Sequence, residues 1–218
     1  VAQQFQRDPD LGQWLHDSDL SQPLAADSLQ NTVRGLLANC QTEDELKRAL
    51  RRLRHRHMVR IIWRDLSGMG DYHSTVADLS LLADTLIQEA LAVLHGWACE
   101  KSGTPMGPDG KPVQLVVLAM GKLGARELNL SSDIDLIFAY EHEGEIEGER
   151  RSLSHHQFFV RLGQQLIKAL DQPTADGFVF RVDMRLRPWG KSGVLAIGFD
   201  AMEGYYETQG REWERYAL

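Results

Sequence analysis

In "TEDELKRALRRLRHRHMVRIIWRDL" (42–66) the leucines at 46, 50 and 53 fall four and three positions apart, with charges at most positions between them. That spacing lays an apolar stripe along a helix. Thr42 with Glu45 three residues on has the spacing of a capping box and marks the helix start. A second helical stretch, Leu79 to Cys99, is more apolar but is interrupted by Asp84, Gln88, Glu89 and His95. A membrane span needs ~20 predominantly apolar residues, so this is expected to be an ordinary core helix. Up to about residue 100 the pattern is helical, with almost no strand signal.

Prolines and glycines gather in "SGTPMGPDGKP" (102–112), where a boundary is expected. The periodicity then changes. "QLVVLAM" (114–120) is a short continuous apolar run, the pattern of a strand buried on both faces, and "DIDLIFAY" (133–140) is a second. Ser154 and Gln157 repeat the capping-box spacing ahead of a helix carrying Phe158, Phe159, Leu162, Leu166 and Leu170. The acidic "EHEGEIEGER" (141–150) before it is expected to be an exposed loop. In "FVFRVDMRLRP" (178–188), Phe178, Phe180, Val182, Met184 and Leu186 alternate with Arg181, Asp183, Arg185 and Arg187, which predicts a third strand with one apolar and one charged face. The expected fold class is α+β: an all-helical region over 1–110, then a sheet flanked by helices over 111–218.

A chain of 218 residues that is 43% hydrophobic can bury a substantial core. Its formal charge of −7 argues against a general nucleic-acid or anionic-membrane binder, so any anion site must be local. Lys47, Arg48, Arg51, Arg52, Arg54, Arg56 and Arg60 on the first long helix are expected to be a solvated face, with a docking surface for an acidic partner as the sharper alternative. Cys40 and Cys99 are far apart and fit neither a disulfide framework nor a zinc site, which suits a reducing cytoplasm. No secretory signal opens the chain, and "REWERYAL" at its end is a helical pattern without a cap, as expected of a fragment of something longer.

Candidate chemistry sits around the second strand. Alternate residues of a strand share a face, so Asp133 and Asp135 project together while Ile134 and Leu136 point into the core. Two carboxylates this close repel, and a bound divalent cation relieves the repulsion; hard cations such as Mg²⁺ take carboxylate oxygens together with phosphate oxygens. On the third strand Asp183 lies among arginines, whose planar forks match phosphate. A salt-bridge ladder would explain the arginines but not the separate aspartate pair. Between the first two strands, "GKLGARELNLSS" places Gly121 and Gly124 where backbone N–H groups could approach a phosphate, although it is neither a Walker A loop nor a dinucleotide fingerprint. His155 and His156 are expected to be surface residues of a helix's first turn rather than metal ligands.

A glycine loop, a D-x-D strand and a third carboxylate resemble the nucleotidyltransferase superfold of polymerase β. More narrowly, "GKLGARELNLSSDIDLIF" and "RVDMRLRPWGKSGVLAIGFDAMEGYYETQGREWERYAL" are very similar to the bifunctional glutamine synthetase adenylyltransferase/adenylyl-removing enzymes, and "ELN" and "YYETQGREWERYA" look like the adenylyl-removing half. The resemblance implies metal binding by Asp133, Asp135 and Asp183, with Mg²⁺ or Mn²⁺ as the ion. It implies nucleotide or phosphate contacts at Gly121, Lys122, Gly124 and Ser132, and the arginine face adds Arg185 and Arg187. Where the family usually has a second glycine this chain has Ala125, and the superfold's glycine pair corresponds either to Gly121 with Lys122 or to Gly124 with Ala125. The activity implied is phosphorolysis of the AMP-tyrosine bond on adenylylated glutamine synthetase, consuming orthophosphate and releasing ADP, within the regulation of nitrogen metabolism. The implied regulators are the signal protein PII and glutamine. The rival readings are AMP transfer from ATP onto glutamine synthetase and a non-catalytic nucleotide-binding regulatory module.

Overall fold

The computed structural model describes residues 8–146 and 152–215. Among these, four helices come first: α1 (Leu11–Asp17), α2 (Ala26–Leu37), α3 (Glu43–Leu66) and α4 (Tyr72–Ser102). The start of α3 is the one its capping box predicts. Glu45 N donates to Thr42 Oγ1 at 3.2 Å, and the Glu45 carboxylate accepts from Gln41 N at 2.8 Å. Leu46, Leu50 and Leu53 are buried, as their spacing requires. Leu79 and Leu94, near the two ends of the predicted second stretch, are buried within the longer α4.

The basic residues of α3 overturn the solvated-face expectation. Arg51 is completely buried, and Lys47, Arg60 and Arg64 nearly so. The reason is that α3 packs against α1, α2 and α4 and also against a helix of the second region, so its polar side is covered and its charges must be paired. Arg51 donates to the carbonyls of Lys47 (2.9 Å), Ala169 (3.1 Å), Gly177 (2.8 Å) and Gln172. Arg60 donates to Asp19 O and Gln22 O, while Arg64 joins buried Asp78 at 2.8 Å. Arg48 and Arg52 remain exposed.

The second region is a mixed sheet backed by a helix. Strand β1 (Leu115–Met120) runs into a single turn of helix, α5 (Gly121–Gly124), and the chain returns as β2 (Ile134–Tyr140), antiparallel to β1. Part of the expected acidic loop is strand instead, β3 (Glu145–Ile146) pairing antiparallel with β4 (Leu153–Ser154), and residues 147–150 of that expectation lie outside the described residues. Helix α6 (His155–Asp171) then crosses the sheet, its Ser154 cap accepting from Gln157 N at 3.2 Å. Strands β5 (Val182–Asp183) and β6 (Ala196–Gly198) both pair parallel to β2. Helices α7 (Phe199–Thr208) and α8 (Glu212–Arg215) follow. The fold is α+β. Strand β2 is its centre, with every residue from Leu136 to Tyr140 fully buried. Helix α6 comes so close that a Cβ on Gly163 would stand 2.7 Å from the Phe138 ring. One apolar cluster joins both regions, running from Leu46, Leu50 and Leu86 to Phe138, Phe159 and Leu166.

Two local expectations fail for identifiable reasons. The third strand is two residues long rather than most of 178–188, because Val179 N and Phe180 N donate to Leu170 O at the end of α6 instead of to a strand. Val179, which alternation would place on the charged face, is fully buried. His155 is also buried, its Nδ1 lying 2.7 Å from His142 O, because the 142–146 segment folds over the first turn of α6. His156 beside it is half-buried.

Candidate functional site

Antiparallel pairing sets Met120, the last residue of β1, opposite Asp135, and parallel pairing on the other side sets Asp183 beside Asp135. Facing positions in neighbouring strands share a face, so the carboxylates of Asp135 and Asp183 emerge side by side, with Asp133 two residues away on the same side. Ile134 and Leu136 are completely buried beneath them. The three aspartates singled out from the sequence are therefore brought together by β2 and β5.

Their electrostatics differ. Burial raises the pKa of Asp135 above the usual carboxylate range, and the negative charges of Asp183 and Asp133 raise it further, with Arg185 opposing. Among the described residues its carboxylate accepts no hydrogen bond. Asp183 is shifted the other way. Arg185 holds it down by donating its Nε at 2.6 Å to Oδ2 and its backbone N at 2.8 Å to Oδ1. Asp133 accepts from Arg181 Nε at 2.5 Å, and the same guanidinium reaches Ser131 O at 2.8 Å. With two of the three carboxylates turned to arginines, no group of three His, Cys, Asp or Glu side chains among the described residues is gathered as a metal cage. The donor chemistry nevertheless suits a hard divalent cation: three carboxylates, all oxygen, with like charges crowding the middle one.

The turn before β2 is shaped by packing. Gly121 takes φ +57°, a left-handed conformation that favours glycine, and a Cβ there would lie 3.0 Å from Asp135 Oδ2. At Gly124 a Cβ would meet Ala119 O at 2.5 Å, so this glycine is required by the tight reversal after β1. The helix that contains both glycines, α5, is a single turn of four residues, too short to supply a macrodipole. Lys122 is exposed. The approach to β2 is tied to the helical region, because Leu128 N donates to Ser80 Oγ of α4 at 3.1 Å. Asn129 then orders the next residues, its Oδ1 accepting from Ser132 Oγ at 2.8 Å and from Ser131 N at 3.2 Å.

The description "Glutamate-ammonia ligase adenylyltransferase" belongs to a family model that matches residues 1–218. The chain belongs to that family. It is 54% identical over 220 residues to the bifunctional glutamine synthetase adenylyltransferase/adenylyl-removing enzyme of Pseudomonas aeruginosa, which covers 100% of this chain and 22% of that protein. Over 218 residues it is 49% identical to the enzyme of that name from Shewanella loihica, covering 100% and 23% respectively. With the Hahella chejuensis protein, also of that name, identity is 58% over 182 residues, 84% of this chain and 19% of the relative. The chain thus spans about a fifth of the length of these curated relatives. Their names are those of nucleotidyltransferase enzymes acting on glutamine synthetase, in keeping with the class that the resemblance implied.

Within this family member the residues singled out from the sequence divide by what they touch. Asp133, Asp135, Asp183, Gly121 and Arg185 stand together around β2. Arg187 does not present its fork to them; it donates to the carbonyls of Met184 (2.7 Å), Gly193 (3.3 Å) and Lys191 (3.3 Å), holding the turn after β5. Ser132 lies on Asn129, one residue before Asp133. The residue that sequence reasoning left out of the site is Arg181. Its signal was its position two residues before Asp183, on the arginine-bearing side of the pattern; that it would bridge to β2 needed the parallel pairing, in which Ile134 N donates to Arg181 O at 2.9 Å. Beyond Arg181 a cavity of about 200 Å³ opens between the 129–132 turn and α3, lined by Asn129, Ser131, Ser132, Phe180, Arg54 and Met58.

Proposed function

We propose that this chain is the adenylyl-removing domain of its parent enzyme and phosphorolyses the AMP-tyrosine bond on glutamine synthetase. The observation that supports nucleotidyl transfer, whichever its direction, is the register of β2 with β5, which sets Asp135 beside Asp183 with Asp133 on the same face. In the reaction an orthophosphate oxygen forms a bond to the α-phosphorus, the bond from that phosphorus to the tyrosyl oxygen breaks, ADP leaves and the tyrosine oxygen takes up a proton. Asp133, Asp135 and Asp183 would hold Mg²⁺ or Mn²⁺, which when bound neutralises the phosphodiester and stabilises the attacking and leaving oxygens. Arg185, exposed beside Asp183, is placed to orient an anion on the same face. Gly121 keeps the backbone close to Asp135 without a side chain between them.

The same carboxylates serve AMP transfer in either direction, since one transition state is common to both. Removal is favoured by the likeness of "ELNLSSDIDL" and "QGREWERYA" to the adenylyl-removing half. A cytoplasmic setting suits both unpaired cysteines and the absence, among the described residues, of a helix long and apolar enough to cross a membrane. PII and glutamine are the regulators this reading carries with it. The test is to give the intact protein adenylylated glutamine synthetase and Mg²⁺, with Asp135→Asn as the control. ADP should appear only when orthophosphate is supplied. Release of free AMP without phosphate would show hydrolysis instead. Incorporation of AMP from ATP into unmodified glutamine synthetase that is abolished by Asp135→Asn would assign this domain to the opposite direction.

A further inference from the structure

Each outer carboxylate of the site is held by an arginine, and the two arginines are the exposed ones. Arg181 forks between Asp133 Oδ1 at 2.5 Å and Ser131 O at 2.8 Å, with its side chain 55% exposed. Arg185 grips Asp183 with Nε at 2.6 Å and Nη2 at 2.5 Å, with its side chain 68% exposed. Arg187, by contrast, is spent on three carbonyls and has no such freedom. Asp135 lies between the two pairs with no hydrogen bond to its carboxylate among the described residues, so a cation arriving there competes with the guanidinium groups for Asp133, held at Oδ1, and Asp183, held at Oδ2. Exposed ion pairs are weak enough to exchange, and a guanidinium released from a carboxylate matches a phosphate with the same planar fork.

We propose that Arg181 and Arg185 are positioning residues that hold Asp133 and Asp183 until a divalent cation replaces them, and that the freed guanidinium groups then seat orthophosphate, so that cation and phosphate bind with positive coupling. The proposal rests on the metal-site reading given above and adds an order of events to it. Without the cation the two outer carboxylates are paired and the phosphate ligands are occupied, while Asp135 keeps its unrelieved repulsion. With the cation, one exchange relieves that repulsion and frees those ligands. Coupling of this kind is reciprocal, so phosphate must tighten the cation by the factor with which the cation tightens phosphate.

The exchange is read on the intact protein by Mn²⁺ titration, following free Mn²⁺ by electron paramagnetic resonance, with and without orthophosphate. Asp135→Asn identifies the part of the isotherm that belongs to this site. Competition from an exposed ion pair corresponds to roughly 1.4- to 5-fold in affinity, so Arg181→Gln should tighten Mn²⁺ at the Asp135-dependent site by that order. Arg181→Lys keeps the charge but loses the fork spanning Asp133 and Ser131, and should tighten Mn²⁺ nearly as much. Phosphate should tighten Mn²⁺ in the parent protein, and that effect should be smaller in Arg181→Gln, where only Arg185 is left to seat the anion. The proposal is overturned if Arg181→Lys keeps the parent affinity while only Arg181→Gln tightens, because charge alone would then be responsible. It is equally overturned if phosphate tightens Mn²⁺ undiminished in Arg181→Gln, or if Asp135→Asn leaves the whole isotherm unchanged. Absence of ADP release alongside the expected Mn²⁺ behaviour would count against the proposed reaction and leave the exchange standing.

Discussion

Asp135→Asn should make the metal-free chain more stable while removing its activity. Asp135 and Asp183 sit at paired positions of adjacent strands, which are ~4.8 Å apart. Two unit charges about 5 Å apart repel by roughly 0.8 kcal/mol in a water-like medium and ~3 kcal/mol at an effective dielectric of 20. The site is open to solvent on one side and the arginines offset part of the repulsion, so we expect a net gain of about 0.5–1 kcal/mol at neutral pH. For a chain of this size that is a rise of about 1–4 °C in Tm. The pH dependence has a definite sign. A carboxyl whose folded pKa lies above its unfolded value, as at Asp135, stabilises the fold while it is protonated. That contribution is complete below the unfolded value of about 3.9 and is lost as pH rises through the raised folded value. The amide carries no charge at any pH, so the advantage of the variant should be full at pH 7 and should shrink as the solution is acidified into the carboxyl range. Thermal unfolding in EDTA from pH 3.5 to 7.5 measures it. Excess Mg²⁺ should reverse the order, because a ligand at a hundred times its Kd stabilises the folded parent by about 2.7 kcal/mol. A variant less stable than the parent in EDTA at pH 7, or equally affected by Mg²⁺, would refute the claim that crowded carboxylates store repulsion for a cation to relieve.

Arg51→Met should destabilise the chain by about 3–5 kcal/mol, since it strips the donors from the carbonyls of Ala169, Gln172 and Gly177 inside the fold; denaturant unfolding measures this, and a loss under about 1 kcal/mol would mean that water reaches those carbonyls. The two arginines after Asp183 should separate in their effects. Arg185→Ala should weaken phosphate binding by about 1.5–3 kcal/mol with little change in Tm, whereas Arg187→Ala should lower Tm by unfastening the turn at Met184, Lys191 and Gly193; calorimetric phosphate titration beside thermal unfolding distinguishes them, and equal phosphate loss in both would contradict their different placements.

Much of this protein is legible along the chain because its strongest signals are local. Thr42 with Glu45, and Ser154 with Gln157, mark helix starts through contacts spanning three residues. The apolar run at 136–140 announces a buried strand because a strand covered on both faces has no polar positions to alternate. The run at 115–120 has the same look, yet β1 lies at the sheet edge with Val116 exposed and Val117, Leu118 and Ala119 half-buried, so the expected burial on both faces fails there. Asp133 and Asp135 declare a shared face through period two, which needs no partner to be read.

What sequence alone could not decide is whatever depends on a neighbour distant in the chain. Alternation through 178–188 looks like a strand, yet Val179 and Phe180 bond to the end of α6 and the ladder keeps only Val182 and Asp183. Arg51 and Arg48 are alike as letters on one helix; one is fully buried because Ala169, Gln172 and Gly177 come to meet it from more than a hundred residues away, and the other is exposed. Arg185 and Arg187 share a face in the one-dimensional pattern, but the chain turns after Asp183, leaving one fork on a carboxylate and closing the other on backbone. Arg181 joins the site only because parallel pairing carries it to Asp133 across 48 residues. Periodicity and capping are properties of a few consecutive residues and survive in the sequence. Burial of a charge and convergence of a site are settled by which surfaces the folded core presses together, and only the tertiary structure records that.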